Sequence, residues 1–208
     1  MGRAGDLSRT PASLSARGLT KSYRGRAVLR GLDLDLPTGV IAAIVGENGS
    51  GKTTLARLLA GVLPPDGGTV TLLGTLGYCP QEVLVFRDLT VEEHFRYFAA
   101  AYGVADWRSR MDRWLDRLAF RDRARDLVDR LSGGTQQKLN LAIALLHGPD
   151  VLILDEPYAA FDRRTYATFW EVMAELRAAG RTVLMVSPLV HDLQRFDVVR
   201  ELVEGELR

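Results

Sequence analysis

Hydrophobic positions along this 208-residue chain change their period several times, and each change marks an element. Residues 14–23 and 27–36 alternate apolar and polar side chains over part of their length, with Arg24-Gly25-Arg26 between them. That pattern predicts two antiparallel strands joined by a turn. Pro37-Thr38-Gly39 ends the second, and the apolar run 40–45 reads as a strand buried on both faces. Helical spacing follows over 54–60, then the break Pro64-Pro65-Asp66-Gly67-Gly68, then short strands at 69–73 and 76–79, the latter ending at Pro80-Gln81.

From Val91 the period becomes helical. Residues 91–102, 107–119 and 124–131 carry apolar side chains three and four apart among Arg, Asp and Glu, which predicts a helical insertion rather than more sheet. A further helix spans 139–146 and stops at Gly148-Pro149-Asp150. Residues 151–154 are all apolar and run into Asp155-Glu156. An amphipathic helix is expected over 164–179, closed by Gly180, then a buried strand over 182–186 and short alternating pieces around Gly205. Strands alternating with helices predict an α/β fold with a mostly parallel central sheet, an antiparallel N-terminal β-subdomain and an inserted helical subdomain at about 83–135.

Apolar residues make up 47% of the chain and charged residues 25%, the balance of an ordinary globular domain. The net charge of +1 gives no global attraction to nucleic acid or to an anionic membrane, so no nucleic-acid partner is expected. The single cysteine, Cys79, allows no internal disulfide and reads as a small packed residue in a reducing compartment. No apolar run reaches the roughly 18 residues needed to span a bilayer. Residues 1–13 read as a flexible tail before one domain over 14–208.

The chemistry begins at Gly46-Glu47-Asn48-Gly49-Ser50-Gly51-Lys52-Thr53 followed by Thr54. This has the spacing of a phosphate-binding loop between a strand and a helix, and it makes the fold class that of a P-loop NTPase. Glycines turn backbone N–H groups inward, the helix N-terminus adds partial positive charge, and Lys52 can reach phosphate oxygens. Thr53 would ligate Mg²⁺ through its hydroxyl. Asp155 and Glu156, at the C-terminal end of a buried strand, would face the same crevice, Asp155 on the metal and Glu156 on the attacking water. Leu131-Ser132-Gly133-Gly134-Thr135-Gln136 is a second glycine-rich loop opening a helix, hence a second anion site. Two chains packed head to tail would each close the other's site.

In this order of motifs the chain resembles the nucleotide-binding subunit of an ATP-binding cassette (ABC) transporter, from about residue 14 to 207. The resemblance implies ATP and Mg²⁺ as cofactors, with Tyr23 stacking on adenine and Gln81 coupling the metal site to a membrane partner. It further implies that Ser132, Gly133, Gly134 and Gln136 serve the nucleotide of a second subunit, and that Ala159-Ala160-Phe161-Asp162 lies at the dimer seam. The implied partners are a second ATPase subunit, identical or not, and an integral membrane permease docked near Gln81 and residues 83–130. The implied location is the cytoplasm, peripheral on the inner face of the cell membrane.

Two departures stand out. The chain between residue 69 and Gln81 is short for such a subunit. The strand at 183–186 ends in Ser187-Pro188, so Pro188 occupies the place where the family carries a histidine that touches the γ-phosphate. His191 is either a substitute for it or an ordinary surface histidine, while His94 and His147 read as structural. The expected function is therefore ATP hydrolysis, slow for want of that contact, coupled to a permease. A soluble non-transport ABC ATPase and a slow-hydrolysing regulatory dimerisation module are the alternatives.

Overall fold

The computed structural model describes residues 12–82, 86–158, 160–188 and 192–208. Strands β1 (Ala12–Tyr23) and β2 (Arg26–Pro37) pair antiparallel, with Leu14 opposite Leu36 and Tyr23 opposite Arg26. Strand β4 (Gly67–Leu72) adds to the other side of β1, giving the order β2-β1-β4. Sheet pairing begins at Ala12, earlier than the tail expected over 1–13. Ser13 is buried and its hydroxyl donates to Thr182 Oγ1 at 2.7 Å, which ties this strand to the main sheet.

The main sheet holds β3 (Ile41–Val45), β5 (Leu76–Cys79), β6 (Val151–Asp155), β7 (Thr182–Ser187), β8 (Val198–Val203) and β9 (Glu206–Leu207). Their order is β5-β6-β7-β3-β8-β9, parallel except for β9, so the expected mixed α/β fold with an antiparallel subdomain is present. Every residue of β6 and β7 is buried, which is why 151–154 and 183–186 within them are continuous apolar runs. The pleat divides β6 between two cores. Val151 and Ile153 face the small sheet and helix α1 (Lys52–Leu59). Leu152 and Leu154 face helices α2 (Val91–Tyr102), α3 (Trp107–Arg117), α4 (Gly133–Leu145) and α5 (Arg163–Ala178), packed with Phe95, Leu115, Leu141 and Phe169.

One predicted helix is absent. Residues 124–131 form no α-helix; within them only Val128–Arg130 makes a 3₁₀ turn, just after another at Arg121–Arg123. The reason lies at the start of α2, where the first N–H groups of a helix have no partner within it. Val91 N–H donates to the Asp126 carbonyl at 3.2 Å and Glu92 N–H to that of Ala124 at 2.9 Å, while Val128 N–H donates to Leu89 at 3.0 Å. These bonds pull the segment away from the geometry its own helix would need. Helix α4 begins six residues before the expected 139, because Ser132 caps it: its hydroxyl accepts the Thr135 N–H at 3.3 Å.

The short connection before Gln81 closes as a tight turn. Thr75 donates from its N–H and its hydroxyl to Asp150 Oδ2, at 2.8 and 2.9 Å, and Arg181 pairs with the other oxygen of that carboxylate. No further chain is needed to bring β5 alongside β6.

Register then positions the site. Val45 lies opposite Ser187 across β3 and β7, and Asp155 opposite Val186 across β6 and β7. The phosphate loop, Asp155-Glu156 and Ser187-Pro188 therefore emerge side by side at the carboxyl ends of neighbouring strands, where open α/β sheets hold their ligands.

Candidate nucleotide site

The loop between β3 and α1 is shaped by what its glycines lack. A Cβ on Gly46 would lie 2.5 Å from the Leu202 carbonyl oxygen and 2.9 Å from Ser50 Oγ. At Gly51, which has φ of 104°, a Cβ would lie 2.8 Å from Val28 Cγ1. Only glycine fits either place. Lys52 is buried and its Nζ donates to the Gly46 and Glu47 carbonyls, both at 2.8 Å, so the ammonium is anchored at the mouth of the loop. Burial pushes its pKa down, against the opposing pull of Glu156 and Asp155.

Thr53 Oγ1 lies 3.3 Å from Asp155 Oδ1. Burial pushes the Asp155 carboxyl up from its ordinary range, opposed by the Thr53 hydrogen bond and reinforced by Glu156. Asp155 Oδ2 and Ser50 Oγ are buried without a hydrogen-bond partner among the described residues. Buried orphan oxygens are rare and call for an unseen partner. A hydroxyl, an adjacent carboxylate and an unsatisfied oxygen form the hard donor set that suits Mg²⁺, so these residues fit the metal expected there.

Above the loop lies a cavity of about 520 Å³ lined by Tyr23, Val28, Asn48, Gly49, Gly51, Lys52, Thr53, Thr54, Gln81, Glu156 and Pro188. It gathers half of the expected nucleotide and metal residues, together with Glu156. Tyr23 is exposed at the end of β1, where a planar ligand could stack on it. Gln81 is exposed beyond Pro80, whose carbonyl accepts from Asn140 Nδ2 at 2.9 Å. Glu156 adopts φ of 49°, with its N–H donating to Val186 at 2.9 Å. Glu47 and Ser50 lie on the adjoining flank of the loop, in a separate hollow of about 400 Å³ beside Arg26 and Glu201.

The second glycine-rich loop is elsewhere. None of Ser132, Gly133, Gly134 and Gln136 lines this cavity. Ser132 and Gly133 face solvent at the start of α4, whereas Gln136 is turned inward, its Nε2 donating to Val128 at 2.9 Å and to Leu131 at 3.3 Å. Asp162 is exposed and caps α5, accepting the Thr165 N–H at 2.7 Å. That bond first, and Lys138 after it, hold its pKa low. His191 and Ala159 lie outside the described residues.

Two contributors escape sequence reading. Val28 packs over Gly51 and lines the cavity, yet in sequence it is only one more apolar strand position. Leu202 acts through its backbone carbonyl, which no side-chain pattern could reveal.

Known proteins agree with this geometry. Residues 29–159 match the family model described as ABC transporter. The rat ATP-binding cassette sub-family A member 7 is 37% identical over 188 residues, which cover 83% of this chain and 9% of that protein. This chain thus spans about a tenth of the length of such relatives. An ABC transporter ATP-binding protein of Methanocaldococcus jannaschii is 30% identical over 196 residues, covering 93% of this chain and 75% of the relative. A solved ATP-binding subunit of an ABC transporter superposes with a TM-score of 0.87 at 26% identity, covering 93% of this chain and 87% of the other. With its phosphate loop, buried acidic strand end and glycine-rich helix start arranged on this fold, the chain belongs to the ABC transporter family, as a nucleotide-binding domain.

Proposed function

We propose that this domain binds ATP with Mg²⁺ in the cavity above Lys52, hydrolyses it as a dimer, and drives a membrane permease. One observation carries the reading: Lys52, Thr53, Gln81 and Glu156 converge on one cavity with Asp155 behind them. Lys52 and the loop N–H groups would hold the phosphates, with Tyr23 against the base. Thr53 and Asp155 would hold the metal, which neutralises charge on the phosphates. Glu156 would take the proton of the attacking water. Ser132 and Gly133, exposed and remote from their own cavity, suit the nucleotide of a second subunit, with Asp162 at the seam.

Pro188 lines the cavity where a side-chain donor is expected, and proline has none. Loss of one transition-state donor costs about a hundredfold in rate, so hydrolysis is slow. This observation favours, as the second reading, a regulatory module that dimerises on ATP. A hollow of about 290 Å³ lined by Val62, Tyr78, Phe98, Tyr102 and Ile143 adjoins Pro80 beside Gln81, with Phe86 and Tyr97 exposed nearby. It suits an apolar helix from a permease better than a polar partner.

Phosphate release from ATP tests the enzymatic half: slow Mg²⁺-dependent turnover is expected, lost in Glu156→Gln and raised in Pro188→His. Purification of tagged protein from detergent-solubilised host membranes tests the other half. Recovery of a multi-span protein at near-equal amount supports transport, and recovery of soluble partners alone overturns it.

A further inference from the structure

Glu156 and Pro188 both line the cavity and leave neighbouring parallel strands. Since proline brings no side-chain donor, what β7 contributes there depends on where its backbone is held. Helix α5 meets the chain beyond each of these two strand ends. Tyr166 sits in the first turn of α5, its N–H donating to the Asp162 carbonyl at 2.9 Å. The Tyr166 hydroxyl donates to Asp192 Oδ2 at 3.2 Å. Arg195 Nε donates to that same oxygen at 3.0 Å, and its guanidinium lies 5.1 Å over the Trp170 ring. On the β6 side, Tyr158 follows Glu156 by two residues and meets Tyr166 edge-on, with ring centres 5.4 Å apart at 85°. The Tyr158 hydroxyl is hydrogen-bonded to Ser187, the last residue of β7. Tyr166 thus meets Tyr158, two residues past Glu156, and Asp192, four residues past Pro188, while Tyr158 itself reaches the end of β7.

We propose that Tyr166 is a positioning residue for ATP hydrolysis, fixing the placement of Glu156 against Pro188 through Tyr158 and Asp192. The inference rests on reading the cavity as an ATPase site. Tyr166 does not line that cavity, so it acts on the rate rather than on nucleotide affinity.

Tyr166→Phe keeps the ring and removes only the hydroxyl. Small displacements of reacting groups cost one to two orders of magnitude, so kcat should fall about tenfold while KM for ATP stays within about twofold. Asp192→Asn keeps an acceptor for the hydroxyl and should retain most of kcat, which a requirement for negative charge at Asp192 would not produce. Residues acting as one unit are non-additive, so Tyr166→Phe combined with Asp192→Ala should be no slower than Asp192→Ala alone. A folded Tyr166→Phe protein with unchanged kcat, or losses that multiply in the double variant, would overturn the inference alone. A wild-type protein that releases no phosphate from ATP would overturn the ATPase reading and this inference with it.

Discussion

Thr53 Oγ1 approaches Asp155 Oδ1 to 3.3 Å while Asp155 Oδ2 remains buried and unpartnered among the described residues. The folded protein therefore carries a carboxylate that it solvates poorly, and its pKa is raised. A raised carboxyl pKa means that the folded state holds this proton more tightly than the unfolded one. Its unfavourable contribution is absent below about pH 4 and grows as pH rises through the folded value.

At pH 7 and without metal, Asp155→Asn should stabilise the fold by about 1–2 kcal/mol, because it removes a poorly solvated buried charge. It should also abolish the rise in Tm that Mg²⁺ with nucleotide gives the wild type. Urea titrations with and without both ligands read the two effects. An Asp155→Asn variant less stable than wild type in the absence of metal would show that the carboxylate is already satisfied.

Glu156 follows with φ of 49°, a conformation that costs a side-chain-bearing residue about 1–2 kcal/mol and that asparagine tolerates better. Its charge also adds to the burden on Asp155. Glu156→Asn is expected to raise stability by about 0.5–1 kcal/mol and to lower turnover a hundredfold or more. Lower stability together with lost activity would mean that the positive φ stores no strain.

Most of this site is legible in the chain because its parts are contiguous in sequence. A strand, a glycine loop and a helix in succession place Lys52 and Thr53 wherever the sheet lies, and Asp155-Glu156 mark the end of a strand that can only be central. What sequence cannot show is contact between distant segments. Periodicity over 124–131 is truly helical, but the unpaired N–H groups of α2 claim the Ala124 and Asp126 carbonyls. Likewise Thr75, Asp150 and Arg181 close the short turn before β5 from three separate places. The Leu202 carbonyl against Gly46 belongs to the same class of relationship.

The two glycines that open α4 should part company on substitution. A Cβ on Gly133 meets nothing within 4 Å, whereas one on Gly134 would lie 2.9 Å from the Ala160 carbonyl oxygen. Alanine is favoured over glycine in a helix by up to about 1 kcal/mol, so Gly133→Ala should leave Tm unchanged or raise it. Gly134→Ala must displace the backbone beside the proposed seam, so its Tm should not rise and its ATP-dependent dimerisation, read by light scattering, should weaken. Equal behaviour of the two variants in both measurements would argue that Ala160 yields freely.

His94 provides the pH dependence. It is fully buried in α2, and both ring nitrogens are engaged: Nε2 accepts the Phe86 N–H at 2.8 Å, which leaves Nδ1 as the donor to the Thr90 carbonyl at 3.0 Å. This pattern requires the neutral ring, because a protonated Nε2 cannot accept. Burial pushes the His94 pKa below its ordinary value, against weaker support for the charged form from the Thr90 carbonyl and Glu93. The unfolded state therefore binds the proton more readily. Stability from this residue is complete above about pH 6.5 and is lost as pH falls toward the folded value, by at most about 1.4 kcal/mol per pH unit. His147, lowered by burial in the same way, adds a second contribution of the same sign. Urea midpoints measured between pH 8 and pH 5, above the range in which most carboxylates titrate, should fall with acid in the wild type. They should fall less steeply in His94→Gln, which loses the His94 share and keeps that of His147. An unchanged slope in that variant would show that the Phe86 turn does not depend on a neutral His94.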